Sequence, residues 1–200
     1  MLDFFRGNLK GKKLAKESSK LCEDIVNILI NNGFALELPD TTYILQESYA
    51  ICTFMMLRPG MNRTRSGAMT LMARNLLKDW LLKVFSDAKS DYEFENTVQV
   101  IIDDLPKYFS EWTSILKEKH KDLIGKNKYQ WLPAANGHFI DQVSSYIYSN
   151  FDKQPDNFLP TLNYFVSSSA NKLLTSGEKL SLSSSLKEDL PKDFKKDIEE

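Results

Sequence analysis

Apolar residues recur every three or four positions along most of this chain, the spacing that gathers them on one face of a helix. Leu14, Leu21, Ile25, Ile28 and Leu29 predict a first helix over 12–32, with Gly33 placed to cap its end. A short extended piece, Phe34 to Leu38, precedes Pro39-Asp40, where the Asp40 carboxylate can accept from the first free amides of a second helix. From Tyr49 to Leu57 only Thr53 is polar, so this second helix, about 41–57, is predicted to be central, with others around it. Arg58-Pro59-Gly60 ends it, because proline disfavours helical geometry in the residue before it and glycine accepts the turn.

A third helix is expected from near Ser66 to about Phe85, with Met69, Met72, Leu76 and Trp80 in one stripe. Ser90 and Glu93 fit a capping box for a fourth, whose stripe Val98, Ile101, Leu105, Phe109, Trp112, Leu116 keeps its phase through Pro106. That pattern suits one kinked helix or two nearly collinear ones. Residues 125–137 read as a loop, and Phe139, Val143, Tyr146 and Ile147 as a short fifth helix. A sixth starts near Asn157, tolerates Pro160 in its first turn and runs through Leu162, Phe165, Ala170 and Leu173 to a stop at Gly177.

Alternation of period two is confined to 34–38, so the fold class expected is all-α: an irregular bundle of six or seven helices around the apolar helix at about 41–57. Residues 1–176 are read as a single helical domain, with 1–11 loosely ordered because Gly7 and Gly11 weaken a helix there. Residues 177–200 read as a charged amphipathic appendage, a tail or docking helix, in which Leu182, Leu186, Leu190, Phe194 and Ile198 fall at every fourth position.

Composition supports this picture. At 200 residues and 42% hydrophobic the chain can bury a core without disulfides, and 26% charged residues argue against a membrane-spanning protein. The least polar stretch, 41–57, is interrupted by Gln46-Glu47-Ser48 and is too short to cross a bilayer. Cys22 and Cys52 sit in apolar patterns as small hydrophobes, without metal-ligand spacing, and Asp3 and Arg6 interrupt any signal sequence. A cytoplasmic protein without metal or cofactor is expected.

Net charge adds more once it is resolved along the chain. The formal value is -1, but residues 21–57 hold five acids and no base, whereas residues 58–83 hold six bases and the single acid Asp79. Four of the five arginines, Arg58, Arg63, Arg65 and Arg74, lie within seventeen residues. Arginine's planar fork grips carboxylate or phosphate with two bonds, and this segment leads into the unpaired amides of the third helix. Arg58, Arg63, Arg65, Ser66 and Arg74 are therefore the candidate site for an anion or an acidic partner, unless the arginines pair with acidic helices of their own bundle.

Catalytic patterns are weak. His138 and Asp141 lie three apart on a helix, but a third metal ligand is missing, and the paired carboxylates Asp103-Asp104 and Glu93/Glu95 point apart. Tyr129 and Trp131, interleaved with Lys126 and Lys128, have the character of interface aromatics. Leu2, Phe4, Phe5 and Leu9 stand beside Lys10, Lys12, Lys13 and Lys16, a combination able to touch an anionic membrane surface. The function expected is a non-enzymatic intracellular protein-protein interaction module that meets an acidic partner through its Arg-rich loop. The alternative is nucleic-acid or phosphorylated-ligand binding at the same segment, residues 58–74, and the third reading is an enzyme of unknown class.

Overall fold

A computed structural model describes residues 1–57, 61–85, 92–126 and 128–173, with the backbone alone at 128 and 129. The described chain forms α1 (Leu2–Asn31), α2 (Leu38–Met56), α3 (Arg63–Val84), α4 (Tyr92–Lys119), α5 (Lys128–Phe151) and α6 (Phe158–Leu173), with a 3-10 turn at Lys121–Leu123 between α4 and α5. No strand occurs among the described residues, and the architecture is an all-α bundle, as the periodicity predicts. Arg58, Ser90, Gly177 and the expected charged appendage lie outside the described residues.

Helix α2 packs against α1, α4, α5 and α6, and the consecutive residues Tyr49, Ala50, Ile51 and Cys52 are all fully buried. Four successive buried positions sweep a full helical turn, so α2 can be satisfied only by neighbours on every side. Its start differs from the expectation at Asp40. Glu37 occupies the cap, and Asp40, three residues on, accepts from the Glu37 amide at 2.8 Å in a reciprocal capping box. Burial pushes both thiols up, Cys52 to about 12, which leaves them as inert packing groups.

Residues 1–11 correct a second expectation, since they form the first turns of α1 rather than a loose segment. The two glycines that argue against a helix are what hold it in place. A Cβ on Gly7 would lie 2.6 Å from the Arg65 carbonyl oxygen, and one on Gly11 would lie 2.5 Å from that of Met69. Their lack of a side chain brings the α1 backbone directly onto α3, and α1 packs more extensively on α3 than on any other helix.

Two further boundaries differ, at α3 and α5, and α4 takes one of the two forms its pattern allows. Helix α3 begins at Arg63, three residues before the expected start, because the Asn62 side chain accepts from the Arg65 amide at 2.9 Å and caps it. Helix α4 is one element through Pro106. Helix α5 begins at Lys128, so much of the expected 125–137 loop is helical despite Pro133. Its buried stripe explains why: Trp131, Ala135, Phe139, Val143 and Ile147 recur at every fourth position, and that burial outweighs one missing amide.

Candidate functional site

Where α2 ends and α3 begins, two neighbouring clefts share a wall made by Leu57 and Phe109. The smaller, about 300 Å³, lies between Tyr49 and Thr53 of α2, Arg63, Ser66, Gly67 and Thr70 of α3, and Pro106 of α4. The larger, about 570 Å³, is walled by Phe54, Thr113, Leu116 and Trp131 and carries Lys117 and Lys126 among its lining residues.

The arginines expected to act together are divided between two roles. Arg63 and Ser66 line the smaller cleft, and Arg65 lies on the same turn with its Nε buried and without a hydrogen-bond partner. Among the described residues neither Arg63 nor Arg65 enters an ion pair. Arg74 is engaged within the bundle: its Nε donates to the Ile102 carbonyl at 3.1 Å and its Nη2 pairs with the Asp103 carboxylate. The reading of internal pairing with an acidic helix therefore describes Arg74, while Arg63 and Arg65 meet no carboxylate among the described residues. All three are on helix α3, not in a loop, and the signal that marks this is Asn62, a favoured capping residue just before them.

Trp131 is mostly buried and lines the larger cleft, and Tyr129 falls in the first turn of α5, so these aromatics too are helical. The two segments singled out in the sequence, around Arg63 and around Trp131, are thus brought to opposite sides of one Leu57–Phe109 wall.

Tyr49 and Thr53 are among the residues around the smaller cleft but are fully or almost fully buried, and their hydroxyls are closed to solvent and lack a hydrogen-bond partner in good geometry. Burial raises the Tyr49 pKa, while the nearby Thr53 hydroxyl and the Arg74 charge ease its ionisation.

A second polar cluster was not anticipated. Glu47, fully buried on α2, accepts from the Tyr108 hydroxyl and from Trp112 Nε1 at 2.9 Å, both on α4. Burial pushes its carboxyl up to about 7, with these donors and Tyr43 working in the opposite direction. The His138 ring lies 5.0 Å from that of Trp112, and burial, with Lys119, lowers its pKa to about 4. The signal was present: Glu47 is the one charged residue between 41 and 57, inside a helix apolar on all sides. Neither group lines either of these two clefts, and the hydrogen bonds of Glu47 tie α2 to α4, with His138 of α5 packed on Trp112. Among the described residues no three His, Cys, Asp or Glu side chains gather as a metal site requires, and no helix is long and apolar enough to cross a membrane.

Comparison with protein-family models, with curated proteins and with solved structures finds no match to this chain, and function has to be read from its own residues.

Proposed function

We propose that this protein is a non-enzymatic helical module that docks an acidic, amphipathic segment of another protein across the paired clefts. The observation that carries the reading is the shared Leu57–Phe109 wall, with Arg63 on one side of it and Trp131, Lys117 and Lys126 on the other. Apolar side chains of the partner fill the space against Phe54, Phe109 and Trp131, and carboxylates flanking them meet the cations. Aromatic and arginine side chains beside a concave apolar surface are the usual anchors of such contacts. Among the described residues Arg63 holds no carboxylate, which leaves its fork available to a partner.

A photo-crosslinking residue in place of Thr113, in the full chain expressed in its own cells, tests this. One protein should be captured, and its crosslinked peptide should carry acids beside apolar residues. Capture should fall at least about tenfold in Arg63→Glu/Lys126→Glu and stay unchanged in Lys172→Glu, on α6. Crosslinks to nucleic acid, or a partner insensitive to the double charge reversal, would replace this reading.

A further inference from the structure

The first three turns of α1 turn an apolar face to solvent. Leu2, Phe5 and Leu9 are 62%, 60% and 52% exposed, and Phe4, beside them, 51%. Steps of three and four residues put Leu2, Phe5, Leu9, Lys12 and Lys16 on a single line along the helix. The opposite line, Gly7, Gly11, Leu14 and Ser18, is buried.

This face cannot be hidden by rolling the helix about its axis. Gly7 and Gly11 hold the α1 backbone against the α3 carbonyls of Arg65 and Met69 so closely that not even a methyl group fits between. Rotation would drive larger side chains into that contact, so the packing that buries the glycines fixes Leu2, Phe5 and Leu9 outward.

Charge shows what kind of surface covers the face. Residues 1–16 hold five bases, Arg6, Lys10, Lys12, Lys13 and Lys16, and the one acid Asp3. The Asp3 carboxylate accepts from Asn62 Nδ2 at 2.9 Å at the start of α3, so the acid is engaged by the bundle. Lys12 and Lys16 are exposed and continue the line of Leu2, Phe5 and Leu9; Arg6 is exposed beside it. A second copy laid face to face would set these bases against their own kind. An anionic bilayer surface takes both halves of the line, because its headgroup layer accepts a few apolar side chains and its lipids supply the negative charge.

We propose that the N-terminal face of α1 binds anionic phospholipid bilayers, with Leu2, Phe5 and Leu9 entering the headgroup boundary and Arg6, Lys12 and Lys16 meeting the lipid anions. The apolar tip is small and so is the set of bases, so the two contributions are required together. This surface is separate from the paired clefts and does not depend on what docks there.

Co-sedimentation of the full chain with phosphatidylcholine vesicles containing about one-third phosphatidylserine tests the proposal. Binding should be at least about tenfold weaker to pure phosphatidylcholine and should fall steeply with added salt. Phe5→Glu/Leu9→Glu and Lys12→Glu/Lys16→Glu should each lose about tenfold or more while keeping the parent's melting midpoint. Phe5→Trp should shift its emission to the blue on the mixed vesicles. Failure of the parent to bind, or binding unchanged in Phe5→Glu/Leu9→Glu, overturns the proposal. So does a dimer in sedimentation equilibrium that this variant dissociates, because a second copy would then cover the face.

Discussion

Arg74 Nε lies 3.1 Å from the carbonyl oxygen of Ile102, the residue four before Pro106. In an α-helix that carbonyl is paired with the amide four residues on, and proline has none to offer. Arg74 donates in its place from α3, and its second nitrogen pairs with Asp103 one residue along. The helix that a proline would ordinarily break is completed by a neighbouring side chain, and an arginine that resembles part of an anion site is engaged inside the fold.

Arg74→Met should therefore destabilise the protein by about 1–3 kcal/mol, the range for leaving a partly buried carbonyl without its donor. In a Pro106→Ala background the new amide can pair with Ile102, and the same substitution should cost about 1 kcal/mol less. Urea unfolding of the four proteins closes the cycle. Equal costs in both backgrounds would mean that Arg74 acts through Asp103 or packing and not through Ile102.

This pair also shows how far the sequence could be read. The helical class and the central position of α2 followed from local spacing, because burial on every side leaves an unbroken apolar run such as Tyr49–Cys52. What escaped reading depends on a second helix. Gly7 and Gly11 look like helix breakers until α3 is laid against them, and Pro106 looks like a break until Arg74 reaches across. For the candidate site, Arg63, Ser66 and Trp131, read from the sequence as anion-binding or interface residues, line the clefts, whereas Leu57, Phe109, Tyr49 and Thr53 read only as parts of apolar helices. A wall shared by two clefts is a property of how α2, α4 and α5 cross, and no single segment encodes it.

Opposed ionisations should leave stability nearly level between about pH 4.5 and 6.5. Folded Glu47 keeps its proton up to about 7 while the unfolded chain releases it near 4.5, so the folded state binds more protons and stability falls as pH rises. Folded His138 takes a proton only near 4 while the unfolded chain takes one near 6.5, so its contribution rises with pH over the same window. Glu47→Gln should expose the histidine slope, with the melting midpoint climbing toward neutral pH. His138→Gln should expose the opposite slope, each approaching about 1.4 kcal/mol per pH unit at its steepest. Parallel profiles for the two variants would show that neither group titrates as its surroundings imply.

Glycine-to-alanine substitutions should change sign with position. Helix propensity alone favours alanine by about 1 kcal/mol, and at Gly137 of α5 an added Cβ meets nothing within 4 Å. Gly137→Ala should raise the melting midpoint. At Gly7 and Gly11 the methyl group would press on the α3 backbone, and overpacking of about 1–3 kcal/mol outweighs the propensity gain. Both variants should melt lower than the parent. A higher midpoint for either would mean that α1 and α3 are not seated backbone to backbone.

The hydroxyls of Tyr49 and Thr53 allow stability and the proposed docking to be varied separately. Each is buried beside the smaller cleft without a hydrogen-bond partner in good geometry, an arrangement that costs about 1–3 kcal/mol per group in the free protein. Tyr49→Phe and Thr53→Val remove the polar atom and nearly keep the shape, so each should leave the free protein as stable as the parent or about 1 kcal/mol more so. Both hydroxyls are closed to solvent, so a partner carboxylate beside Arg63 does not reach them, and the same variants should bind the captured partner as tightly as the parent. Loss of stability in the free protein would show that the hydroxyls are already satisfied there. Weaker binding of the captured partner in either variant would show that the α2 wall opens when the partner docks.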